Sequence, residues 1–112
     1  MIEEIVVLGY EFRYPVENIF RTRYELYCKR VKKPMTFEEY IVYKTKENIM
    51  VQKRKYPEEQ DVWVLLSYIK EIEEHLKTGD FTKEMVKKVF IIQDHTLGIA
   101  WDLLPVPPNI IY

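Results

Sequence analysis

Residues 36–56 read Thr36-Phe37-Glu38-Glu39-Tyr40-Ile41-Val42-Tyr43-Lys44-Thr45-Lys46-Glu47-Asn48-Ile49-Met50-Val51-Gln52-Lys53-Arg54-Lys55-Tyr56, and the fold class turns on this stretch. Thr36 with Glu39 three residues on matches a capping box, in which each side chain satisfies the other residue's backbone N–H and a helix begins. The residues after this box favour strands instead. Tyr40-Ile41-Val42-Tyr43 and Ile49-Met50-Val51 are rich in β-branched and aromatic residues, types that suit a pleated, half-buried surface. Between them Lys44-Thr45-Lys46-Glu47-Asn48 is polar, with asparagine near its end, as turns often are. The stretch therefore reads as a β-hairpin with strands near 39–45 and 48–55, after a short helical turn at 36–39. A single helix is the alternative.

On the N-terminal side, Val16, Ile19, Phe20, Tyr24, Tyr27 and Val31 recur at steps of three and four, one stripe of an amphipathic helix. Pro15 suits its first turn and Pro34 stops it. Before it, Ile5-Val6-Val7-Leu8 within residues 2–12 reads as a short buried strand. On the C-terminal side, Pro57 with Glu58, Glu59 and Asp61 starts a second helix, because acids favour the positive end of the helix dipole. Val62, Leu65, Leu66, Ile69, Ile72 and Leu76 form its apolar stripe, and Gly79 is the expected C-cap. From Asp80 a third helix runs about three turns on Phe81, Met85 and Val89, although 86–92 also reads as a strand. The end of the chain, 96–112, is apolar and carries Pro105, Pro107 and Pro108, which favour an extended path.

These elements predict a single α+β domain over 1–112: a three-stranded sheet with helices packed on one face and an extended, proline-rich C-terminal tail. With 86–92 as a strand, the sheet has four strands in the ferredoxin-like order.

Length and composition bound the rest. A chain of 112 residues suffices for one core, and its 47% hydrophobic content argues against disorder. No apolar run approaches the roughly 20 residues of a membrane span, and the first residues, Met1-Ile2-Glu3-Glu4, lack the pattern of a signal peptide. The one cysteine, Cys28, fits a reducing, cytoplasmic setting. Twelve Lys and fourteen Glu beside three Asn and three Gln follow the trend of hyperthermophile proteins, including small archaeal and viral ones. A genome of low GC content produces a similar bias.

Net charge totals −1, but it is distributed unevenly. Residues 1–12 carry −3 and residues 57–112 carry −5. Residues 13–56 hold twelve bases against five acids, a net +7. Such asymmetry points to a polyanion surface. The expected site is Arg13, Arg21, Arg23, Lys29, Arg30 and Lys33 around the first helix, with Lys44, Lys46, Lys53, Arg54 and Lys55 on the hairpin. Tyr14, Tyr43 or Tyr56 could stack on unpaired bases. The same bases could instead coat a solvated surface, or face the acidic helix 58–74 of this chain or of a second copy.

Signals for chemistry are weak. Asp94-His95 is the only adjacent acid–imidazole pair, and the sole serine, Ser67, lies within a helix, so no triad forms from the sequence. Glu71 and His75 share a helix face, but two ligands do not make a zinc site. Asp61, Glu71, Glu73 and Glu74 read as a solvated face. Gly9, Gly79 and Gly98 are isolated, which excludes a phosphate loop. No catalytic residue, cofactor or metal is assigned. The first reading is a small intracellular binding module for DNA or RNA. A homo-oligomeric assembly protein using the apolar tail, docked on its own domain or on a second subunit, is the alternative. A small hydrolase or nuclease, which needs His95 gathered with two carboxylates, ranks below both.

Overall fold

A computed structural model describes residues 16–102, and within them the chain is four helices: α1 (Val16–Arg30), α2 (Phe37–Lys55), α3 (Gln60–Thr78) and α4 (Lys83–Asp102). The expected α+β class is therefore wrong for this part of the chain. No strand occurs among the described residues. The hairpin of 39–45 and 48–55 is one 19-residue helix, α2. The alternative strand at 86–92 lies inside α4, which runs 20 residues and takes in 96–102 of the expected extended tail. The expected first strand, within residues 2–12, and the proline-rich 103–112 lie outside the described residues.

The capping box was the better guide to α2. Glu39 N–H donates to the Thr36 hydroxyl at 3.2 Å, and Thr36 N–H donates to the Glu39 carboxylate at 3.0 Å. Helical spacing then buries Tyr40, Ile41, Val42, Thr45 and Ile49 on one side. Strand propensity separates these residue types by well under 1 kcal/mol each. Sequestering an Ile or Val side chain is worth about 1.5–3 kcal/mol, so burial decides. The polar run 44–48, read as a turn, is a helical turn with its charges outward. Lys44 pairs with Glu47 at 3.7 Å, and Lys46 reaches Glu73 of α3 at 3.0 Å.

Helices α2, α3 and α4 pack on one another around Ile41 and Ile49, Val62, Leu65, Ile69 and Ile72, and Val89 and Ile92, all fully buried. The stripe expected on α3 is buried from Val62 to Ile72, and its last member, Leu76, is half-buried. Gly79 ends that helix with φ +84°, a left-handed conformation in which any side chain would be strained. Its N–H and that of Asp80 both donate to the His75 carbonyl at 3.1 Å. The Asp80 carboxylate accepts from the Thr78 hydroxyl at 2.6 Å and contacts His75 Nδ1 at 2.9 Å, and these two contacts hold its pKa below the ordinary carboxylate value.

α4 differs from an ordinary amphipathic helix because its second half buries polar residues. Gln93, Asp94, His95 and Thr96 are all at most 6% exposed. The Thr96 hydroxyl donates to the Ile92 carbonyl at 2.7 Å. A hydrophobicity pattern ends at Ile92; the helix does not.

Thr45 provides a test of α2. It is fully buried, and its hydroxyl has no hydrogen-bond partner among the described residues. An unpaired buried hydroxyl costs on the order of 1 kcal/mol. Thr45→Val is expected to stabilise the protein by about 1 kcal/mol, read as a higher urea midpoint with an unchanged slope. A Thr45 exposed in a hairpin turn would yield no gain.

Candidate functional site

The basic residues are arranged by how α1 seats on the core. A single stripe does this: Phe20, Tyr24 and Tyr27 meet aromatic rings of α2 and α4. Phe20 packs edge-on to Tyr40 at a centroid distance of 6.3 Å and lies 5.8 Å from Phe90. Tyr24 is 5.3 Å from both Phe37 and Tyr40, and Tyr27 is 5.1 Å from Tyr40. Each such pair contributes about 0.5–1.5 kcal/mol beyond its buried area. The two tyrosine hydroxyls also hold the α1–α2 connection. Tyr24 donates to the Met35 carbonyl at 2.9 Å, and Met35 N–H donates to the Tyr27 hydroxyl at 3.0 Å.

Three of the expected cations lie within electrostatic range of Tyr40. The charges of Arg23 and Arg30, seven residues apart on α1, both act on the Tyr40 phenol. Lys44 lies one turn further along α2, 6.0 Å from the Tyr40 ring and 5.8 Å from the Tyr43 ring. Burial raises the Tyr40 pKa above the ordinary phenol value, and the two guanidiniums oppose that rise.

The other expected residues divide into two groups. Some are engaged within the chain. Arg21 bonds to Glu17 at 2.9 Å and lies 4.7 Å from the centre of the Phe37 ring. Lys46 is committed to Glu73, and Lys53 sits 4.2 Å from the centre of the Trp63 ring, whose N–H donates to the Pro57 carbonyl. Others are exposed and form no ion pair among the described residues: Arg23, Lys29, Arg30 and Lys33, with Arg54 and Lys55 at the far end of α2. Arg13 lies outside the described residues. Sequence reasoning missed Lys32, equally exposed and unpaired in the same connection; its place in a run with Arg30 and Lys33 was the available signal. Residues 21–33 thus carry six bases and one acid, Glu25.

A helix, unlike a hairpin, distributes its cations around an axis. At about 100° per residue, Lys46 and Lys53 fall on the flank of α2 that faces α3, while Lys44 lies on the flank beside α1. The expected eleven-residue face therefore resolves into a small group on α1 and the first turns of α2, and separate cations held elsewhere. Tyr43, expected to stack on bases, is 52% exposed, and the neighbouring Glu47 carboxylate raises its pKa.

The groups weighed for hydrolysis lie as follows. His95 is 6% exposed, and its Nε2 is 3.8 Å from the Asp61 carboxylate, beyond hydrogen-bonding distance. Glu73 and Glu74 are paired with Lys46 and Lys77. Among the described residues no three His, Cys, Asp or Glu side chains are grouped to hold a metal ion. The open groove of about 500 Å³ between the start of α2 and the end of α3 is lined by Met35, Val42, Tyr43 and Leu76 with Glu39, Glu73 and Lys77, away from His95. No described helix is long and apolar enough to cross a membrane.

No protein-family model, curated protein or solved structure matches this chain.

The grouping around Tyr40 makes a spectroscopic prediction. In ¹³C-tyrosine NMR, Tyr40 is expected to titrate above the ordinary phenol range. Replacing Arg23 and Arg30 with Gln removes two charges that favour the phenolate and should move it higher still. An unchanged Tyr40 titration would place the guanidiniums elsewhere.

Proposed function

We propose that this chain is a small helical binding module that engages nucleic acid through α1, the α1–α2 connection and the start of α2. The carrying observation is the run of exposed cations Arg23, Lys29, Arg30, Lys32 and Lys33 on α1 and the α1–α2 connection, with Lys44 of α2 6.0 Å from the Tyr40 ring on which α1 seats. Two features support it. Five of these six cations are exposed without an ion pair among the described residues, so no internal acid has to be displaced. Arginine also contributes forked donors that match phosphate geometry. The aromatic seat fixes the helix that carries them, which lowers the ordering cost of binding.

Each neutralised phosphate releases counterions, so affinity is expected to fall linearly on a log–log plot against salt, with a slope of about 0.9 per phosphate for duplex. Fluorescence anisotropy of a labelled oligonucleotide reads this directly. Arg23→Gln with Arg30→Gln should weaken binding and reduce the slope by about 1–2. Lys46→Gln and Lys53→Gln should change it little, because those cations already serve Glu73 and Trp63. Absence of binding at about 50 mM salt, where phosphate contacts are strongest, would overturn the reading.

A further inference from the structure

The burial pattern of α1 indicates which form of nucleic acid the surface fits. Phe20 is buried, Ile19, Tyr24, Tyr27 and Cys28 are half-buried, and the other residues of α1 from Glu17 to Arg30 are exposed. Asn18, Thr22, Glu25, Leu26 and Lys29 are all exposed, and Leu26 is 51% exposed. At about 100° per residue these five lie on the side of the helix opposite the aromatic stripe. Arg23 and Arg30 occupy the flank next to α2, beside Lys44. The helix therefore presents an outer line of mixed hydrogen-bonding and apolar side chains, with a basic wall along one edge. Lys32 and Lys33 follow at its C-terminal end.

We infer that α1 is a reading helix for the major groove of duplex DNA, which rests on the nucleic-acid reading above and narrows it. A helix with its side chains is about 10–12 Å across, and the major groove of B-DNA is about 12 Å wide. A helix can enter it only if one side is free along its length, and the outer side of α1 is exposed from Asn18 to Lys29. The outer line carries the side-chain types that discriminate base edges there: Asn for adenine, Lys for guanine, Glu for the cytosine amino group, and an apolar contact for the thymine methyl. Arg23, Arg30 and Lys44 then meet the phosphates of one groove wall, where they position without specifying. A single strand needs only charge and stacking surfaces, and the exposed outer line of α1 contains no aromatic ring. The major groove of duplex RNA is too deep and narrow to admit the helix.

The test compares a short DNA duplex, either of its strands alone and the matching RNA duplex, by anisotropy at one salt concentration, followed by selection from a random duplex library. The duplex DNA is expected to bind at least about tenfold tighter than the others, and selection should enrich a short motif. Asn18→Ala and Lys29→Ala, both at exposed positions, should each relax preference at one base pair by about tenfold. Arg23→Gln should weaken all sequences alike. Circular dichroism establishes that each variant keeps its helix content. Equal affinity for single strand and duplex, with a normal salt slope, would overturn the reading helix and leave nucleic-acid binding standing. No binding to any of them would overturn both.

Discussion

The burial of Tyr40 is the constraint on which the basic surface depends. Its ring is 3% exposed and touches Phe20, Tyr24 and Tyr27, all three residues by which α1 faces the core. Because the aromatic contacts of α1 with α2 and α4 run along this stripe, its rotation about its own axis is set by where those rings sit. That rotation places Arg23 and Arg30 beside Lys44 and turns Asn18, Thr22 and Lys29 outward. Packing and the proposed binding surface are therefore joined at one side chain.

This dependence explains a tension in the charge distribution. A +7 block in the middle of a near-neutral chain suggests one broad basic face. A helix over residues 37–55 cannot keep such a face, since its cations spread round the axis and three of the five find partners in α3 or on α2 itself. What survives is smaller and more definite. Among the described residues, and apart from Arg54 and Lys55 at the far end of α2, the expected cations with neither an ion pair nor a ring contact lie on α1 and the α1–α2 connection, and the aromatic seat orients the helix that carries them.

Much of α1 and α3 was legible from apolar spacing, and the end of α3 was legible from Gly79. α2 was not, because Ile41, Val42, Ile49 and Val51 are strand formers whose local preference is weaker than the burial they gain in a helix. Thr45 made matters worse, being a polar residue that the fold buries completely. The capping box at Thr36 and Glu39 pointed the right way. α4 was cut short for a related reason, as Gln93, Asp94, His95 and Thr96 are buried polar groups that break a hydrophobic period without breaking the helix. The proposed basic surface shows in the sequence only as a charge excess between residues 13 and 56. Which cations converge depends on helix phase, and a hairpin has the wrong phase.

The aromatic seat of α1 on a helical α2 is tested most directly by a nuclear Overhauser spectrum with the Tyr40 ring assigned. Cross-peaks from that ring to the rings of Phe20, Tyr24 and Tyr27 are predicted, together with the short amide–amide contacts of a continuous helix through Lys44–Asn48. Cross-strand contacts instead, such as Val42 to Val51 about the centre of a hairpin, with no peak from Tyr40 to α1, would contradict it.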